Sequence, residues 1–166
     1  MFVMTDGKRN DIGATMTAYA TAHLGKTEVD GVELEAFGAD ALTVNGYLGT
    51  DGIQPLLDVC EKYDKGIFVL AKTSNPSSGE LQDRQIDGKP VYEIMGEMCE
   101  SWGSKQIGAY GYSAVGAVVA QPIRNSWLNC VRNCRTPCSW CRDTAHRAAA
   151  HRVLPVHLIK TAEVRS

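Results

Sequence analysis

No apolar run in this 166-residue chain approaches the roughly 20 residues that a membrane-spanning helix needs, so no span is expected. The amino terminus, Met1-Phe2-Val3-Met4, lacks a basic leader region and meets Asp6 almost at once. No secretory leader is therefore expected, and a cytoplasmic protein is the default. The net charge of −2 gives no reason to expect an obligatory polyanion partner such as nucleic acid. Gly111-x-x-x-x-Gly116 is followed by no Lys-Ser or Lys-Thr pair, which excludes a phosphate-binding P-loop there. What is present is ordinary globular composition, 44% hydrophobic and 22% charged, in a chain long enough to bury a sizeable core.

The small net charge hides a division. Residues 1–120 hold nine Lys and Arg against 17 Asp and Glu, whereas residues 121–166 hold eight against two. The second stretch also takes four of the six cysteines, two of the three tryptophans and three of the four histidines. Such a shift marks either a second module or an abnormal segment.

The first 119 residues alternate between strand and helix signals. Phe2-Val3-Met4-Thr5 predicts a strand. Ile12 to Leu24, rich in Ala and Thr, predicts a helix with Asp11 as N-cap and Gly25 as its stop. Ala41-Leu42-Thr43-Val44 predicts a second strand. A helix follows from Ile53 to Lys62, with Pro55 tolerated in its first turn. Gly66-Ile67-Phe68-Val69-Leu70 is continuously apolar, as a parallel strand buried on both faces is. Thr73 to Gly79 reads as a loop, Val91 to Trp102 as a helix, and Ala114 to Ala120 as a fourth strand. The alternation predicts a parallel α/β sheet or barrel. Cys60 and Cys99 fall on helices and read as buried thiols. His23, late in its helix, reads as structural, with a cationic form suited to the helix dipole. Asn45 and Lys72 end strands, where a barrel carries its function, although a subunit contact suits them equally.

Asp6-Gly7-Lys8-Arg9-Asn10-Asp11 sets two carboxylates around one ammonium at the end of an apolar run. On a strand, positions i and i+2 share a face, so Asp6 and Lys8 should point the same way, with Asp11 following on the loop or first helical turn. A lysine so flanked is a positioned proton donor more than a base. The acidic neighbour would repel an anionic substrate group, and a decarboxylase needs both effects. On spacing alone, a solvated charged turn fits equally well and is the commoner case.

The longer string Asp6 to Thr15 resembles the signature of the orotidine 5'-phosphate (OMP) decarboxylase family. Ala39 to Gly49, Gly66 to Pro76 and Gly111 to Val119 resemble, in order, later strands of its long bacterial subtype. Together these segments cover nearly all of residues 1–119. The resemblance implies a TIM-type (β/α)8 barrel, of which about strands 3 to 6 are present, with the site at the carboxyl ends of the strands. It implies conversion of OMP to UMP and CO2 with no metal or organic cofactor. In that family the tetrad is Lys-Asp-Lys-Asp, and its last three members match Asp6, Lys8 and Asp11. Asp11, Ile12 and Thr15 would reach the partner subunit's site in a homodimer, and Ser74 would hydrogen-bond the pyrimidine. The first tetrad lysine would lie upstream of Met1. A complete barrel takes about 250 residues, so the chain alone is expected to show little or no activity. A sugar-phosphate decarboxylase or hexulose-phosphate synthase shares the acidic-x-Lys-x-x-Asp array, but Thr73-Ser74-Asn75-Pro76 and Gly111-Tyr112-Ser113-Ala114-Val115-Gly116 argue against it.

Residues 120–166 carry two competing readings. Cys130, Cys134, Cys138 and Cys141, with His146, His151 and His157 as substitutes, could form a zinc site in a basic nucleic-acid-binding module. Only the last cysteine pair has the usual CxxC spacing. The other reading is an out-of-frame translation. Codons GTG-GCG-CAA-CCT-ATC-CGG fit Val119 to Arg124, and one restored G turns them into Val-Gly-Ala-Thr-Tyr-Pro, which resembles the family's sixth strand end. In that same frame, Cys138 to Ala149 can read Phe-Leu-Val-Pro-Gly-Tyr-Gly-Ala-Gln-Gly-Gly, which resembles its seventh strand and phosphate loop. Trp and Cys codons leave little freedom for coincidence. The expected division is therefore a partial barrel at 1–119 and a tail at 120–166 with no domain of its own.

Overall fold

A computed structural model describes residues 2–120 and the backbone of Trp140–Cys141. Strand β1 (Met4–Arg9) leads to helix α1 (Gly13–Leu24), then to a hairpin of β2 (Thr27–Val29) and β3 (Val32–Leu34). Strand β4 (Ala41–Val44), helix α2 (Thr50–Tyr63) and strand β5 (Gly66–Lys72) follow. A 3-10 turn (Pro76–Glu80) and a hairpin of β6 (Gln85–Ile86) and β7 (Lys89–Pro90) precede helix α3 (Val91–Gly103) and strand β8 (Val115–Val119). The backbone of β9 (Trp140–Cys141) lies parallel beside β8.

The main sheet has the order β1-β4-β5-β8-β9, and every pairing in it is parallel. Parallel neighbours need crossovers, and α1, α2 and α3 supply them in turn. Side-chain alternation then sorts the sheet into two faces. Leu42, Val44, Ile67, Val69, Ala71, Val115 and Ala117 pack against the helices, meeting Met16, Ala20, Ile53, Leu56 and Cys99. Ala41, Phe68 and Val118 form a second cluster on the opposite, inner face, with Met4 and Leu70 against it. Every residue of β4 is buried, as the apolar strand signal required. Fully burying a Leu or Ile side chain stabilises by roughly 1.5–3 kcal/mol, so the helix-side layer holds the fold together.

Three features depart from the sequence reading. The first strand runs over Met4–Arg9 and not Phe2–Thr5, so it carries Asp6 and Lys8 itself. Asp11 does not cap α1. The N-cap is Ile12, with no side-chain cap, and Asp11 Oδ1 accepts the N–H of Ile12 at 2.8 Å. The two hairpins were not anticipated, although each carries a two-residue Asp-Gly turn. Asp30 and Gly31 have φ of 51° and 80°, and Asp87 and Gly88 have 52° and 79°. Both central residues lie in the left-handed region that a type I′ turn requires. No helix among the described residues is long and apolar enough to cross a membrane.

Candidate active site

The candidate catalytic residues sit where β1 stops being regular. Thr5 pairs with Leu42 and Arg9 with Val44, so Thr43 alone on β4 faces Asp6, Gly7 and Lys8 on β1. This is a bulge, a device that re-aims side chains near active sites. Gly7 leaves room there: a Cβ would meet Leu42 Cδ1 at 2.9 Å, so the Leu42 side chain would have to shift. Lys8 takes φ of 46°, a left-handed conformation that costs a non-glycine residue about 1–2 kcal/mol. The expectation that Asp6 and Lys8 share a face holds: Lys8 Nζ donates to Asp6 Oδ1 at 2.5 Å. The route is a strained bulge and not simple alternation.

Asp6 lies on the inner face with Met4. Its Oδ1 also accepts the Thr43 hydroxyl at 2.9 Å. The hydrogen bond from Lys8, and then that from Thr43, hold the Asp6 carboxyl below its ordinary value of 3.8. The Lys8 and Asp6 side chains are each about half exposed, so the pair faces open space where a ligand has access. Among the described residues, Asp6 is the only carboxylate within ion-pair distance of Lys8. Asp11 is spent on Ile12 N–H and is not brought into the pair. Ile12 is 62% exposed and Thr15 is also exposed, so neither packs into this chain's own site.

Ser74 is exposed on the loop that leaves β5, and the residues on both sides of it are fixed. Thr73 N–H donates to Gln82 Oε1 at 2.9 Å, and Gln82 Nε2 returns a bond to Thr73 Oγ1 at 2.8 Å. Thr73 Oγ1 donates to Asn75 Oδ1 at 2.6 Å. Beneath them, the buried Lys72 donates to Asp83 Oδ1 at 2.7 Å and Ser78 Oγ at 3.2 Å, and lies 5.9 Å from the Tyr92 ring centroid. Lys72 is thus the anchor of this loop. Asn45, the other strand-end residue, folds its Oδ1 onto Tyr47 N–H at 2.9 Å and shapes its own turn.

His23 is buried and stacked on Phe37 at 4.5 Å. Burial, then the charge of Arg9, push its pKa below the ordinary 6.5, which disfavours the cationic form that the helix dipole would suit. Cys60 and Cys99 are buried as expected, and burial pushes the Cys60 thiol up to about 12. Cys130, Cys134, Cys138, His146, His151 and His157 lie outside the described residues, and only the backbone of Cys141 is described. Sequence reasoning missed Thr43, Gln82 and Asp83. A threonine inside the four-residue buried strand β4 was the available signal, since a buried hydroxyl needs a partner.

Comparison with known proteins shows the family and the fold. Residues 1–135 match the family described as Orotidine 5'-phosphate decarboxylase / HUMPS family. An orotidine 5'-phosphate decarboxylase of Caldicellulosiruptor bescii is 49% identical over 119 residues, 72% of this chain and 39% of that protein. One from Rhodopirellula baltica is 50% identical over 119 residues, 72% of this chain and 38% of that protein. The chain therefore spans less than half the length of these relatives. Among solved structures, Leishmania donovani OMP decarboxylase superposes with a TM-score of 0.67 at 30% identity, covering 85% of this chain and 48% of that one. Leishmania donovani UMP synthase gives 0.65 at 31%, covering 86% and 27%. The parallel sheet with its outer helices is part of a TIM (β/α)8 barrel, and the chain belongs to the orotidine 5'-phosphate decarboxylase / HUMPS family.

Proposed function

We propose that residues 1–119 carry most of the catalytic array of an OMP decarboxylase, which converts OMP to UMP and CO2 in pyrimidine biosynthesis. The observation that carries this reading is the Lys8–Asp6 pair, held by the β1 bulge on the inner face at the carboxyl end of the strand. The Asp6 carboxylate repels the substrate carboxylate. As the bond from C6 to that carboxylate breaks and CO2 leaves, the electron pair stays on C6 and takes a proton from Lys8 Nζ. This is electrostatic preorganisation combined with general acid catalysis. Ser74, presented by the pinned loop, hydrogen-bonds the pyrimidine. No metal or organic cofactor enters the scheme.

Asp11, Ile12 and Thr15 act across a homodimer, at the partner's site. The exposure of Ile12 at 62%, Tyr47 at 73% and Leu48 at 40%, on the loops after β1 and β4, supports a subunit contact at this end of the sheet. The protein is read as cytoplasmic. Residues 120–166 are read as an out-of-frame tail outside the site, with no domain of their own.

The test is an NMR titration of the chain with UMP and, separately, with a hexulose phosphate. UMP is expected to move the amides of residues 6–11 and 73–75 saturably, and the sugar phosphate is not. A response to the sugar phosphate alone, or none at these residues, contradicts the reading.

A further inference from the structure

The Thr43 hydroxyl is buried and has two short contacts, both to the bulge. It accepts the backbone N–H of Lys8 at 3.1 Å and lies 2.9 Å from Asp6 Oδ1. A threonine hydroxyl has one proton. Two acceptors compete for it, Asp6 Oδ1 at 2.9 Å and Thr5 O at 3.5 Å. The shorter contact to a charged acceptor takes it. The direction of each bond is therefore fixed: Lys8 N–H to Thr43 Oγ, and Thr43 O–H to Asp6.

The bulge explains why a side chain is needed here. Between the Thr5–Leu42 and Arg9–Val44 pairings, three residues of β1 face one of β4, and the regular ladder is interrupted. Lys8 holds its φ of 46° across that gap. One hydroxyl bridges it, tying the backbone of the proton donor to the carboxylate that faces it.

From this geometry we infer that Thr43 is a positioning residue: it locks the strained Lys8 backbone and the Asp6 carboxylate into one rigid unit. The inference rests on the proposed decarboxylase reading for its functional meaning and on the bulge geometry alone for its physical content. Thr43 touches no reacting atom and acts through Asp6 and Lys8. The low Asp6 pKa, to which the Thr43 bond is the second contributor after Lys8, agrees with it.

The test uses the whole chain with 13C-labelled aspartate, the Asp6 carboxyl signal being assigned by its loss in Asp6→Asn. In the wild type, the hydrogen bonds from Lys8 and Thr43 should hold the Asp6 midpoint below its ordinary value of 3.8. Thr43→Ser keeps the hydroxyl and should leave that titration in place. Thr43→Val keeps the shape, removes the hydroxyl, and should raise the midpoint toward the ordinary value. An unchanged Asp6 titration in a folded Thr43→Val overturns the proposal. Should Thr43→Val not fold, amide exchange in the wild type decides: Lys8 N–H should exchange at least tenfold more slowly than an open amide, and exchange at the open rate overturns it. Neither measurement needs substrate. Failure of UMP to bind, with Asp6 still responding to Thr43→Val, would defeat the functional reading and support this one.

Discussion

Residues 1–119 and residues 120–166 obey different rules. In the first stretch, strand and helix signals alternate, the charge is acidic, and the cysteines are buried on helices. Lys outnumbers Arg there by seven to two. In the second stretch Arg outnumbers Lys by seven to one, and Cys, Trp and His are concentrated without a matching apolar period. The family match covers residues 1–135, all of the first stretch and the start of the second. Selection for a core and a site leaves a periodic pattern. A sequence made by reading the same bases in another frame keeps the codon bias and loses the pattern. On the proposed out-of-frame reading, the cysteine cluster of the second stretch is not a site.

The contrast can be broken in several places. The largest effect is expected at Lys8. With the rest of the barrel supplied in trans so that OMP is turned over, Lys8→Ala should lower kcat by roughly 10²–10⁴, the range of a general acid. Cys138→Ser should leave kcat unchanged, and a comparable loss from the tail substitution would erase the distinction. Next comes the core. Ile67→Ala, at a fully buried position on β5, should cost about 2–5 kcal/mol in chemical denaturation. Cys130→Ser should stay within about 0.5 kcal/mol. Asp83→Asn leaves the buried Lys72 ammonium with Ser78 as its remaining hydrogen-bond partner. Because Asp83 itself is half exposed, the cost should be only roughly 1–3 kcal/mol, with the loop bearing Ser74 loosened in amide exchange.

Smaller effects follow from protons and metal. His23 and Asp6 both have folded pKa values below their ordinary ones, so the unfolded chain binds protons more readily at each. Stability should therefore rise with pH through both windows, below 6.5 for His23 and below 3.8 for Asp6. It is lost as pH falls through each. His23→Phe should flatten the upper window and leave the lower one, as read by melting temperature against pH. Last, a chelator should leave the melting temperature unchanged. A drop, with stoichiometric zinc in the purified protein, would make the tail a metal module.

The strands β5 and β8 were legible because a buried parallel strand shows as an apolar run, and β4 because Thr43 alone interrupts its run. The Lys8–Asp6 pair was legible in outcome, since period-two alternation puts both on one face. The bulge was not legible, because it depends on Thr43, 35 residues from Lys8, and no local pattern reports a mismatch between two strands. Asp83, 11 residues beyond Lys72, was hidden for the same reason. The hairpin turns Asp30-Gly31 and Asp87-Gly88 carried their signal openly. They were missed because their flanking strands are only two or three residues long and almost entirely exposed, too short for a period to register.

The most direct measurement is the nucleotide sequence that encodes residues 119–149. Restoring one base after the Val119 codon should spell Val-Gly-Ala-Thr-x-Pro and then Phe-Leu-Val-Pro-Gly-Tyr-Gly-Ala-Gln-Gly-Gly in a single open frame. Codons that cannot spell those strings in the shifted frame would contradict the division of the chain and return the cysteines of the second region to candidacy as a site.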